Sequence, residues 1–105
     1  MINLTELDKL EEYLKDHHIQ YVRYDEDPIF KNGYVYKLDR HQIIVNNGEW
    51  DAICHTGSYG YKDGLLEVMG STVVRVNDTV EGWLTAKEII RRLQENDHLD
   101  GSNKR

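Results

Sequence analysis

The chain has 105 residues, with 13 basic against 19 acidic side chains and a net charge of −6. That length suits one domain and leaves no room for two, and the sign of the charge opposes direct binding to nucleic acid or to an anionic membrane. Leu, Ile, Val and Phe make up about a quarter of the residues, above the range of disordered chains, so a single packed core is expected.

Cys54 is the one cysteine, which excludes an intramolecular disulfide, and no zinc-type Cys/His spacing occurs. The opening Met1-Ile2-Asn3-Leu4-Thr5-Glu6 lacks the basic and apolar regions of a signal peptide. No apolar run is long enough to span a bilayer. A cytoplasmic protein is expected, with no cofactor.

Taken in chain order, the first element is a helix over Leu4 to His17. Leu7, Leu10, Leu14 and His17 recur at three and four residues and draw one stripe. Asn3 with Glu6, or Thr5 with Asp8, has the spacing of a capping box. Ile19 to Tyr24 is rich in β-formers and stops at Asp25-Glu26-Asp27-Pro28. Asn32-Gly33 separates Ile29-Phe30 from Tyr34-Val35-Tyr36, and Asn47-Gly48 separates His41–Val45 from Trp50–Cys54; both read as hairpins. Leu65–Met69 and Thr72–Val76 are further strand candidates. Trp83 reads as a core anchor. Thr85-Ala86-Lys87-Glu88 is a clean capping box, opening a helix with Ile89, Ile90 and Leu93 on one side. The expected fold is α+β: an antiparallel sheet of about four to six strands, with the N-terminal and C-terminal helices packed on one face. Residues 1–95 form the expected domain and 96–105 a polar, frayed tail.

A two-residue turn at Asn47-Gly48 places Val45 opposite Trp50, Ile43 opposite Ala52 and His41 opposite Cys54. An imidazole beside a thiol suggests a base and a thiolate nucleophile. The stronger reading makes Cys54 a small buried hydrophobe and His41 a residue bonded locally at the sheet margin. His17, His18, His41, His55 and His98 are scattered, with no pair at the spacing of a helical zinc site, so no metal is expected.

The loop Gly57 to Gly64 holds three of the eight glycines. Thr56, Ser58 and Lys62 can complete an anion nest there, Tyr59 and Tyr61 can stack on a partner ring, and His55 adjoins them. Asp8, Glu12 and Asp16 form a like-charge row along the first helix, and Asp25, Glu26 and Asp27 add a second acidic patch. Together these six make a candidate docking face for a basic partner.

Four stretches carry a resemblance: Trp50-Asp51-Ala52-Ile53-Cys54-His55, Gly57-Ser58-Tyr59-Gly60, Gly64-Leu65-Leu66-Glu67 and Gly82-Trp83-Leu84-Thr85. Over about Leu4 to Leu93 the chain resembles small uncharacterised proteins carried by phages and prophages of Gram-positive bacteria. The resemblance implies a mobile-element accessory protein that acts on its host by binding, and it supplies no catalytic residues. The expected function is therefore non-enzymatic: engaging a host protein or other macromolecule, or sequestering a small ligand. The alternatives are a small enzyme using Cys54 and His41, a hydrolytic use of His55, or a structural homodimer formed through a bare sheet face.

Overall fold

The computed structural model describes residues 2–103, with side chains described as far as Asn96. Helix α1 (Thr5–Asp16) is followed by β1 (Tyr21–Glu26), β2 (Ile29–Lys31), β3 (Tyr34–Lys37), β4 (Arg40–Val45), β5 (Trp50–Ile53), β6 (Leu66–Met69), β7 (Val80–Leu84) and α2 (Ala86–Asn103). Five strands form one antiparallel sheet in the order β1-β4-β5-β6-β7, while β2 and β3 pair separately. The fold is α+β, as the pattern of helix, strands and helix implies.

One face of the sheet supplies the core. Ile43 and Val45 of β4, Trp50 and Ala52 of β5, Leu66 and Val68 of β6, and Leu84 of β7 pack with Leu7, Leu10 and Leu14 of α1 and Ile89 and Leu93 of α2. Strand alternation puts these residues on the same side, and the apolar stripe of each helix closes over them. Emptying one such position, as in Leu10→Ala, costs about 2–5 kcal/mol.

The helix starts differ in their chemistry. Asn3 Oδ1 accepts the Thr5 N–H at 2.9 Å, so Asn3 shields the start of α1, but no reciprocal box forms there. At α2 the box is complete: Glu88 N–H donates to Thr85 Oγ1 at 3.2 Å, and Thr85 N–H donates to Glu88 Oε1 at 3.4 Å. Glu6 of α1 also accepts the Ala86 N–H at 2.8 Å, tying the first turn of α2 to α1.

Five local expectations are corrected. His17 is exposed, because α1 ends at Asp16 and the residue falls past the stripe. The first strand begins at Tyr21, not Ile19. The β4–β5 connection is wider than two residues, with Asn46, Asn47 and Gly48 all at positive φ, yet the Val45–Trp50 register is unchanged. Thr72–Val76 is not a strand: Val73 and Val74 donate to the Gly70 carbonyl at 3.1 and 3.0 Å, which closes a turn. Trp83 is 59% exposed, because Leu84 takes the inward position of β7 and alternation turns Trp83 to water. The tail 96–105 and His98 lie almost wholly outside the residues whose side chains are described.

Candidate functional site

The register of the first ribbon creates the site. Strands β1 and β4 pair from Tyr21–Val45 out to Glu26–Arg40, and β2 and β3 resume the same pairing at Ile29–Lys37. Residues 21–45 are thus one long ribbon, interrupted at Asp27-Pro28 and Leu38-Asp39. Pro28 has no N–H to give to a ladder, so the ribbon bends there and its outer third stands off the sheet as an arm. Gly33 at φ +81 turns the tip.

The arm is apolar on one side and carries tyrosines with lysines on the other. Phe30 and Val35 are opposite each other on one side, and Lys31 and Tyr34, the next pair, are on the other. The Lys31 ammonium lies 3.8 Å from the centre of the Tyr36 ring, which brings Tyr36 onto that second side. Among the described residues, six of the eleven exposed large hydrophobics are Ile29, Phe30, Tyr34, Val35, Tyr36 and Leu38. That concentration within ten consecutive residues is more than scattered surface exposure.

Beneath the Phe30–Val35 side lies a cleft of about 780 Å³. Ile2, Leu4 and Tyr61 face the arm across it, with Pro28 and Leu38 at its root. Asp39, His41, Thr56 and Lys62 supply its polar groups, and Asp27 adds a carboxylate. An apolar cavity with a few converging polar groups is the usual form of a binding site.

The polar end is held firmly. Asp39 accepts the Thr56 N–H through both oxygens, at 3.3 and 3.2 Å. Burial alone would raise its carboxyl, but the hydrogen bonds from Thr56 outweigh burial and hold it below its ordinary value. His41 Nδ1 lies 2.8 Å from Asp25 Oδ1, and its Nε2 is 3.9 Å from Asp39 Oδ2. Asp25 in turn meets Arg23, whose guanidinium also reaches Asp8 at 2.8 Å and Glu11 at 3.0 Å. Arg23 Nε is 2.8 Å from Asp25 Oδ2 but lacks hydrogen-bond alignment, so this contact is an ion pair.

The residues singled out from sequence are divided by this arrangement. Thr56, Tyr61 and Lys62 line the cleft. Ser58 is buried, accepting the His55 N–H at 3.1 Å and donating to the His55 carbonyl at 2.8 Å. His55 Nδ1 accepts the His41 N–H at 3.1 Å, which fixes it as a structural ring. Tyr59 points away from the cleft and stacks on Trp83, with ring centres 5.1 Å apart. Of the six acidic residues, Asp8 and Asp25 converge on Arg23, and Glu26 meets Lys37 at 3.3 Å. Glu12 and Asp16 remain exposed on α1, and Asp27 belongs to the cleft.

Cys54 donates a backbone N–H to the His41 carbonyl at 3.0 Å, so the two residues are opposite each other as the register requires. Their side chains nevertheless part. The thiol is fully buried and donates to the Asn3 carbonyl at 3.7 Å, while the imidazole turns to Asp25. Burial, with the Asp39 charge adding to it, pushes the Cys54 thiol above its ordinary value. That is the reverse of what a thiolate nucleophile needs.

Phe30, Val35, Leu38, Ile2 and Leu4 were not singled out from sequence. The available signal was the run Ile29 to Leu38, a hairpin with apolar or aromatic residues on both sides. The fold and cleft define a two-helix α+β domain with a β-arm overhanging an apolar cavity. No family model, curated protein or solved structure matches the chain.

Proposed function

We propose that this chain is a non-enzymatic binding protein and that the cleft under the arm holds an apolar ligand, either a small molecule or the side chains of a host macromolecule. The observation that carries this reading is the cleft itself, about 780 Å³ with largely apolar walls, and with Asp39, His41, Thr56 and Lys62 among the residues that line it. Its size falls within the range of ligand sites. Lys62 supplies a donor and His41 Nε2 an acceptor for a polar end group, while the arm supplies apolar contact. The resemblance to proteins of phages and prophages supports a mobile-element accessory role, in which binding to a host component is the activity. The buried, raised thiol of Cys54 weighs against the thiol-enzyme alternative.

Titration with anilinonaphthalene sulfonate, an apolar fluorophore bearing one anionic group, tests the reading. Saturable binding is expected, and Val35→Trp, which fills the cavity from an exposed position, weakens it about tenfold or more with little change in unfolding midpoint. Lys62→Glu should also weaken it. Absence of saturable binding, or binding indifferent to both substitutions, contradicts the proposal.

A further inference from the structure

Among the described residues, no helix or strand covers the face of the sheet turned away from the helices; the loop residue Tyr59 touches it at β6, where its N–H donates to Glu67 at 2.9 Å. Val22 and Tyr24 of β1, Ile44 of β4, Ile53 of β5 and Met69 of β6 lie on it by alternation, opposite the core positions. Val22 and Met69 are 50% and 52% exposed. At its β1–β4 end this surface runs without a break into the outer side of the arm. Glu26, on the same side as Val22 and Tyr24, meets Lys37 of the arm at 3.3 Å, and Arg40 stacks over the Tyr24 ring at 3.8 Å. Beyond them come Tyr36, Lys31 and Tyr34, the last 78% exposed.

Charge is distributed unevenly along this strip. Residues 29–38 carry two lysines and no acid, a charge of +2, within a chain of net −6. Arg40 extends the basic end. The other end carries Asp51 of β5 and Glu67 of β6. A strip that is aromatic and basic at one end, apolar and acidic at the other, complements a second copy of itself turned end for end.

We propose that the chain forms a two-fold dimer in which the arm of each copy lies, by its Lys31–Tyr34–Tyr36 side, on the outer sheet face of the other. The two contacts are identical, as an isologous interface requires. Tyr34, Tyr36, Val22 and Met69 are each half or more exposed, so this strip holds the apolar surface that such an interface would bury twice over. An isolated two-stranded ribbon is marginal in water, and seating on a second sheet supplies the packing the arm lacks. The cleft is on the opposite side of the arm, so dimer and ligand site use different faces and stand or fall separately.

Sedimentation equilibrium of the full chain across roughly 1–200 µM tests this. A reversible dimer that weakens with added salt is expected. Tyr34→Ser and Met69→Arg, at opposite ends of the strip, should each raise the dissociation constant about tenfold or more. Lys31→Glu and Asp51→Lys should each weaken the dimer, and their combination should recover part of the loss. Val35→Trp should leave it unchanged. A monomer throughout the range overturns the proposal. So does a dimer indifferent to Tyr34→Ser and Met69→Arg with native circular dichroism, or one disrupted by Val35→Trp alone.

Discussion

His41 and Asp25 face each other across β4 and β1, with Nδ1 of the imidazole 2.8 Å from Oδ1 of the carboxylate. The carboxylate can only accept, so Nδ1 carries the proton and Nε2 is the nitrogen left for the polar end of the cleft. The same bond fastens the root of the arm, because Asp25 precedes the bend at Pro28 and His41 follows the one at Asp39. Register, side-chain chemistry and the site are thus linked through one contact.

Acid should weaken the fold through three carboxyls. At Glu81 the Arg92 fork, with bonds of 2.8 and 2.9 Å, is the main cause of a lowered value. At Asp25 burial pulls upward, but hydrogen bonds from His41 and Arg23 outweigh it and the value is again lowered. Asp39 is likewise lowered. Groups lowered in the fold are protonated first in the unfolded chain, so their stabilisation is complete above about pH 5. It is lost as the pH falls through about 4 and below. Urea unfolding at pH 7 and pH 3 should show this fall. Glu81→Gln should cost about 2 kcal/mol at pH 7 and distinctly less at pH 3.

Cys54 should be inert in the native protein. A disulfide reagent at neutral pH should label it at least about a hundredfold more slowly than in urea, since reaction requires opening of the fold. Labelling at the rate of an exposed thiol would revive the thiol mechanism.

Thr85→Ala should destabilise the protein by about 1 kcal/mol, the usual cost of removing a cap, measured by urea unfolding. Glu6→Ala should also be costly, although Glu6 is far from α2 in sequence, because it leaves the Ala86 N–H without its acceptor. The two losses should not simply add, since both substitutions act on one helix end.

Gly82→Ala should be more damaging than its place in a half-exposed strand suggests. A Cβ at Gly82 would run into the Cβ of Tyr59, which is held there by its stacking on Trp83. The expected cost is about 1–3 kcal/mol, as for overpacked sites, with thermal unfolding as the readout. A neutral Gly82→Ala would mean that the Tyr59–Trp83 stack is loose in solution.

The parts legible in the sequence were those specified locally. The Asn47-Gly48 hairpin gave the β4–β5 register residue by residue, and Thr85 with Glu88 gave the α2 start, because each signal lies within a few residues. Thr72–Val76 misled because β-branched residues suit strands only where a neighbour can pair with them. Here Gly70 closes a turn, and Val80–Leu84 takes the place beside β6. Three of the cleft residues, Thr56, Tyr61 and Lys62, were found from their glycine-rich loop. The rest of the site depends on β1 pairing with β4 around the whole arm. Continuing the Asn32-Gly33 hairpin inward at constant register would bring Asp25 opposite Arg40; the bulge between Ile29 and Phe30 shifts the pairing by one and sets Asp25 opposite His41, and nothing local in the sequence marks that bulge.

The most direct test of the account is a backbone-amide NMR titration with anilinonaphthalene sulfonate, mapped residue by residue. A ligand held in the cleft shifts the amides of Ile2 and Leu4, of Phe30 to His41, and of Thr56 to Lys62. Shifts centred on Val22, Ile44 and Met69, with the cleft residues unmoved, would contradict that placement.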